Sequence, residues 1–85
     1  MKILLSSIAK NDIRLLMRVF NAEKENKGID FLEDLKVSIN EILETSTQKS
    51  SEIAVNKMEN FPVLIHYIFE NEENLFITAI FKELN

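Results

Sequence analysis

The chain has 85 residues and no cysteine, so we expect one small domain over residues 1–85, without disulfides, thiolate catalysis or cysteine-based zinc sites. Apolar residues make up 46% of the chain, which is too many for a disordered protein, and no apolar run reaches the length of a transmembrane helix. The net charge of −4 argues against broad nucleic-acid binding, and the start of the chain lacks the pattern of a signal peptide, so the sequence predicts a soluble, cytoplasmic protein without membrane association.

The charge is distributed unevenly along the chain. Residues 1–27 carry six basic and three acidic side chains, whereas residues 28–85 carry four basic and eleven acidic ones. The sequence therefore allows a basic patch near the N-terminus and disfavours one elsewhere.

A short strand and a helix are the first elements predicted. Lys2–Leu5 is a β-strand candidate, and either of the two serines that follow suits the N-cap of a helix over residues 8–26. Gly28 is the only glycine of the chain, and we expect it to end this helix in the left-handed conformation.

The first helix carries two apolar stripes on its surface. The first stripe consists of Ala9, Ile13, Leu16 and Phe20, and the second of Leu15, Val19 and Ala22. A helix with two apolar stripes usually contacts two neighbours, and the favoured interpretation is that both stripes pack within the chain. The alternative is that Leu15 and Val19 stay exposed and bind a partner.

A basic stripe runs along the same helix. Lys10, Arg14 and Arg18 recur at every fourth position and so lie on one face. Such a stripe is either an ordinary solvated face or a binding edge for an acidic partner segment. With Leu15 and Val19, these three residues form the predicted partner-binding site.

A second helix is predicted to follow almost at once. Asp30 and Glu33 have the spacing of a capping box at its start, and the pattern continues to about Glu44. Its apolar stripe consists of Phe31, Leu32, Leu35, Ile39, Ile42 and Leu43. The two helices are therefore expected to form a hairpin that turns an acidic face outward.

The last part of the chain is predicted to form three strands. After a loop at residues 45–51, residues 52–58 are a strand candidate, and two longer apolar runs flank an acidic turn at residues 71–74. Simple alternation in the last run puts Leu75, Ile77, Ala79 and Phe81 on one face, and Phe76, Thr78, Ile80 and Lys82 on the other. Because these runs are apolar on both faces, they belong in the middle of a sheet. The order β-α-α-β-β-β predicts an α+β fold, with a largely antiparallel four-stranded sheet and a helical hairpin on one face.

Short motifs along nearly the whole chain resemble the RelE/ParE superfamily, the toxins of bacterial type II toxin–antitoxin systems. The matching stretches are AKNDI at residues 9–13, FLEDL at 31–35, FPVLIHY at 61–67 and ITAIF at 77–81. The chain departs from the family pattern at Val63, where a tyrosine is common, and at Lys82, where many relatives have a histidine followed by arginines.

The resemblance implies a growth-inhibiting protein of the kind that stabilises plasmids, held in a hetero-oligomer by a cognate antitoxin. The favoured branch is ParE, whose members bind a target such as DNA gyrase and are not nucleases. One alternative is a RelE-like, ribosome-dependent mRNA interferase. Another is a degenerate relative without toxicity that serves as a binding partner.

The chain offers little for catalysis. RNA cleavage needs a base, an acid and cations around the phosphate, and in the sheet region Lys57, His66 and Lys82 are the weak candidates. His66 and Tyr67 are adjacent on a strand and so point to opposite faces, where packing explains both. One histidine cannot build a zinc site, and no glycine-rich phosphate loop is present, so we expect no metal and no cofactor.

Overall fold

A computed structural model describes residues 2–45, 52–71 and 73–83, and the predicted loop over residues 45–51 lies mostly outside these ranges. The elements are β1 (Lys2–Leu5), α1 (Ser7–Glu23), α2 (Lys27–Thr45), β2 (Ala54–Lys57), β3 (Val63–Phe69) and β4 (Asn74–Lys82). The predicted α+β class and the order β-α-α-β-β-β are confirmed.

The strands form a mixed four-stranded sheet in the order β1-β4-β3-β2. β2 and β3 are antiparallel, as are β3 and β4, whereas β1 pairs in parallel with β4. The two apolar strands β3 and β4 are therefore central, as their sequences predict.

The core lies between the sheet and the helical hairpin. The rings of Phe20, Phe31 and Phe61 meet at its centre, with centroids 5.0 to 5.6 Å apart in tilted and edge-on arrangements. Such pairs contribute roughly 0.5–1.5 kcal/mol beyond the burial of their area. The first α1 stripe and the α2 stripe supply the helical side of this core, as predicted, and the strands add Val63, Ile65, Phe69, Leu75, Ile77 and Ile80.

A β-bulge interrupts β4 and reverses its alternation. Tyr67 pairs with Ile77 while His66 pairs with Ala79, so Thr78 is an extra residue. Ile77 and Ile80 are consequently both buried on the helix side, whereas Ala79 and Phe81 face the other way. The predicted assignment of faces is wrong beyond Thr78, because alternation counted along the sequence does not register an inserted residue.

The turn between the helices differs from the prediction. Asn26, with φ 65°, adopts the left-handed conformation, and Gly28 lies in the first turn of α2 without a positive φ. A Cβ on Gly28 would lie 2.6 Å from the carbonyl oxygen of Met17 and 2.8 Å from Oδ1 of Asn21. The prediction that Gly28 ends the first helix is therefore wrong, and the glycine instead allows the two helix backbones to approach closely.

The start of α2 also lies earlier than predicted. The helix begins at Lys27, so Asp30 lies in its first turn and the proposed capping box with Glu33 does not mark its start. The Gly28 N–H donates to Oδ1 of Asn21, 2.8 Å away, so a side chain of α1 supplies the acceptor. This contact between helices could not be recognised from local spacing.

Candidate functional site

Side-chain hydrogen bonds hold α1 against β4. Ser6 is the N-cap, since its Oγ accepts from the Ala9 N–H at 2.9 Å, and the same hydroxyl donates to the Thr78 carbonyl at 2.7 Å. The Asp12 carboxylate accepts from the Ile80 N–H at 3.0 Å, beyond the point where β1 stops pairing with β4. These bonds determine which face α1 presents to solvent.

The second apolar stripe of α1 is on that solvent-facing side. Leu15 is 47% exposed and Val19 is 41% exposed, and Ala22 and Ile8 are exposed as well. The interpretation that this stripe packs within the chain is therefore wrong for the described residues, because β4 and α2 contact α1 along its other faces. The exposure of Leu15 and Val19 that the alternative expects is what the structure shows.

The basic stripe lies beside this apolar row. Lys10, Arg14 and Arg18 are exposed, and none of them forms an ion pair within the described part of the chain. Arg18 and Leu15 are three positions apart, so cations and apolar side chains adjoin on one helix surface. Together with Leu15 and Val19 these cations define what we call the α1 surface, in which apolar and basic side chains adjoin.

A small charge cluster joins the end of α1 to α2 and β4. Glu23 accepts from the Lys27 ammonium at 2.8 Å and from the Lys82 ammonium at 3.3 Å. These two hydrogen bonds, first that from Lys27, lower the pKa of the Glu23 carboxyl. Lys82 is therefore engaged on the helix side of the sheet, with its Nζ 5.7 Å from the centre of the Phe20 ring.

The weak catalytic candidates do not converge. His66 lies on the other side of the sheet from Lys82, edge-on to the Phe81 ring with centroids 4.8 Å apart. Lys57 shares the face of His66 but pairs with Glu83 at 3.0 Å. The structure thus brings Lys57 and His66 to one face and separates Lys82 from both, partly because the bulge turns Lys82 toward the helices.

The face of the sheet that carries His66 is apolar, and no described helix covers it. We call it the open face, and it includes Val55, Leu64, Ile68, Phe76 and Phe81. Phe81 is 48% exposed and Val55 is 52% exposed. Sequence reasoning did not identify this surface, although the signal was present in the apolar residues on both faces of β3 and β4.

The described residues include neither a metal-binding cluster nor a helix suited to crossing a membrane. No cluster of three or more histidine and carboxylate side chains is placed to hold a metal ion in residues 2–45, 52–71 and 73–83. Over the same ranges, neither helix combines the length and apolar character needed to cross a membrane.

Comparison with known proteins identifies the fold. No protein-family model matches the chain, and no curated protein matches it in sequence. Among solved structures, it is similar to a chain from one described as "Chromosomal ParDE TA system from P. aeruginosa", with a TM-score of 0.80 and 11% sequence identity. The match covers 99% of this chain and 97% of the other. At this identity the likeness shows a shared fold, over nearly the whole of both chains.

Proposed function

We propose that this protein is the toxin of a type II toxin–antitoxin system, that it acts by binding a protein target, and that a cognate antitoxin neutralises it. The observation that carries the proposal is the fold match to a chain of a ParDE system, which covers 99% of this chain. The motif FPVLIHY, which begins at the core residue Phe61 and continues into β3, supports the same assignment from the sequence.

The exposed surfaces support binding as the mode of action. The α1 surface combines an apolar row with cations that have no ion-pair partner among the described residues, and the open face adds a second apolar area. Contiguous exposed apolar patches on a small domain are characteristic of protein interaction sites. An antitoxin segment with an apolar stripe and acidic flanks would complement the α1 surface.

The distribution of cations favours the ParE branch, with a gyrase-type target, over an mRNA interferase. Cleavage of a phosphodiester needs a base, an acid and positive charge around one phosphate. Lys57 is paired with Glu83, and Lys82 lies on the opposite side of the sheet from His66. This arrangement supports a scaffold role for the sheet rather than an active site.

Induced expression in a bacterial host tests the proposal. We expect growth arrest, relieved by coexpression of the protein encoded beside this gene, and inhibition of DNA supercoiling by purified gyrase. Specific mRNA cuts that disappear in Lys57→Ala and His66→Ala variants would establish the RelE-like alternative. Normal growth at high expression would favour a relative that has lost toxicity.

Reversing charge on the α1 surface tests the mode of binding. Arg14→Glu with Arg18→Glu should weaken antitoxin or target binding about tenfold or more, because two cations become repulsive anions. The variant with lysine at both positions keeps the charge and is the matched control, expected to bind within about twofold of the parent. Calorimetric titration measures the affinity of the glutamate variant, the lysine variant and the parent protein. Equal affinity of all three would remove the α1 surface from the proposal.

A further inference from the structure

The open face is apolar across its whole width. All four strands contribute to it, because Leu4 of β1 pairs with Phe76 of β4 and so points to the same side of the sheet. Its apolar side chains include Leu4, Val55, Leu64, Ile68, Phe76 and Phe81. A sheet face that stays in water normally carries polar side chains at such positions. The composition of the open face therefore indicates that another surface covers it.

Charged side chains of the described residues lie around the border of the open face, and their charges balance. Lys57 pairs with Glu83 at 3.0 Å at one end. Lys2 and Glu70 lie at the other end, both exposed and without an ion-pair partner among the described residues. Two cations thus stand against two carboxylates, so the open face has no net charge that would repel a copy of itself.

The two helical surfaces differ from the open face in this respect. The α1 surface carries the three cations of the basic stripe, and the outward side of α2 carries exposed carboxylates at Asp30, Glu33, Glu41 and Glu44. A symmetric dimer brings the same surface of two copies together. Like charges would therefore oppose a symmetric dimer through either helix, whereas the open face permits one.

The size of the open face suits a weak dimer. Four strands about 4.8 Å apart, with the seven residues of β3 rising about 3.3 Å each, give a face of roughly 19 by 23 Å. Two such faces in contact would remove about 1,000 Å² of accessible surface from water, the area at which specific interfaces begin. We therefore expect a dissociation constant of roughly 10–100 µM.

We propose that two copies of this chain associate through their open faces, with a two-fold axis that runs along the strands between β3 and β4. This rotation places β4 of one copy over β3 of the other, and β1 over β2. Sheets stacked in this way lie about 10 Å apart, with their strands within about 30° of each other. The inference does not rest on the proposed function, because the α1 surface lies on the helix side of the sheet and stays free in the dimer.

Charge complementarity selects this axis. The Glu70 N–H donates to the Asn74 carbonyl at 3.0 Å, and Asn74 pairs with Lys2, so the three residues form one row across the end of the sheet. Lys2 and Glu70 lie on opposite sides of the midline between β3 and β4. The rotation therefore brings Lys2 of each copy to about one strand spacing, about 4.8 Å, from the position above Glu70 of the other. An axis across the strands would instead place Glu70 over Leu64 and leave the charges apart.

Side-chain sizes fit the same axis. His66 of β3 pairs with Ala79 of β4, so a large and a small side chain lie at one height on either side of the midline. In the dimer each imidazole faces the alanine of the other copy and fills the space beside it. Leu64 and Phe81 form the next such pair, and the rotation places the half-exposed Phe81 ring on the other copy's Leu64.

Sedimentation velocity over about 5 µM to 1 mM measures the association of the purified protein, and we expect a monomer that becomes a dimer within this range. Phe81→Glu buries a carboxylate in the apolar contact and should weaken dimerisation at least about tenfold. Leu15→Glu is the matched control, since Leu15 is 47% exposed and Phe81 is 48% exposed, and it should dimerise like the parent protein. A dispersed NMR spectrum verifies that each variant is folded.

Exchanging charges between two copies tests the axis. Lys2→Glu and Glu70→Lys each turn two attractive contacts into repulsive ones and should weaken the dimer about three- to tenfold. An equimolar mixture of the two variants should regain the parent affinity, because each contact in the mixed dimer again joins a cation to a carboxylate. Mixing cannot restore a contact within one chain, so recovery would assign the pair to two copies.

Three results would overturn the proposal. The first is a protein that stays monomeric up to about 1 mM. The second is a dimer that Leu15→Glu disrupts and Phe81→Glu leaves intact, which would place the contact on the α1 surface. The third is a mixture of the two charge variants that associates no more tightly than either variant alone. None of these measurements depends on toxicity, so they leave the proposed function to its own test.

Discussion

Gly28 shows how a single residue sets the distance between the two helices. Replacement by alanine in a helix normally stabilises, by up to about 1 kcal/mol. Here the added Cβ would lie 2.6 Å from the Met17 carbonyl oxygen, so α1 and α2 would have to separate. We expect Gly28→Ala to lower the free energy of unfolding by about 1–3 kcal/mol in urea denaturation. A Gly28→Ala variant with a higher free energy of unfolding than the parent would contradict this prediction, because the two helices would then accommodate the Cβ without loss of stability.

Asp12 is a second residue whose role depends on one contact. Its carboxylate is the acceptor for the Ile80 N–H, and no described strand lies beside Ile80 on that side. Asp12→Ala should cost about 1–3 kcal/mol, because a part-buried donor loses its partner. Asp30→Ala is the control on an exposed helical carboxylate, and we expect it to change stability by less than about 0.5 kcal/mol. Equal effects of both substitutions would mean that water replaces the lost acceptor.

The Glu23 carboxyl provides a residue-scale prediction about pH. Its pKa is lowered from 4.5 by hydrogen bonds from Lys27 and Lys82. A carboxyl with a lowered pKa stabilises the folded state above its unfolded pKa, and that contribution disappears as pH falls through the folded pKa. An NMR titration should place the Glu23 midpoint below 4.5, and Lys27→Met with Lys82→Met should raise it. An unchanged midpoint in that double variant would contradict the assigned cause.

At the scale of elements, the bulge in β4 decides which side chains build the core. Ile80 is 2% exposed and Phe81 is 48% exposed, the reverse of what alternation from Leu75 predicts. Ile80→Ala should therefore cost about 2–5 kcal/mol, as for other buried aliphatic residues. Phe81→Ala, the matched control one position on, should cost much less, although it removes a larger side chain. Chemical denaturation of both variants distinguishes the bulged register from simple alternation. A larger loss of stability in Phe81→Ala than in Ile80→Ala would contradict the bulge.

Local patterns predict the elements of this protein well, and contacts between elements explain the differences. The stripes that begin at Ala9 and Phe31 are buried as predicted, because a helical period and an apolar face are properties of the segment itself. The functions of Gly28 and Thr78 depend on partners elsewhere in the chain, which a single sequence does not reveal. The exposure of Leu15 likewise depends on its surroundings, because the helical period shows which apolar side chains share a stripe but not which element covers that stripe.

For the molecule as a whole, the sheet and the helical hairpin form two layers, and each layer exposes apolar side chains on its outer side. The helices cover one face of the sheet, the open face has no described cover, and α1 exposes its second stripe. A small domain buries a modest share of its surface, so its stability is limited when isolated. We expect the antitoxin proposed above to raise the unfolding temperature in a concentration-dependent manner, as binding to the native state alone requires. An unfolding temperature that stays constant at saturating antitoxin would contradict the proposal that the antitoxin covers these exposed surfaces.

The position of β4 in the sheet has a consequence for biosynthesis. β4 follows the other described strands in the chain, yet it lies between β1 and β3 and joins them. While the ribosome is still making residues 74–82, β1 has no strand to pair with and the helical hairpin has only part of its sheet. The nascent chain therefore cannot complete the fold early, because the pairing of Lys2 with Asn74 spans most of the sequence. A surface that needs the complete sheet can therefore form only after β4 has been synthesised.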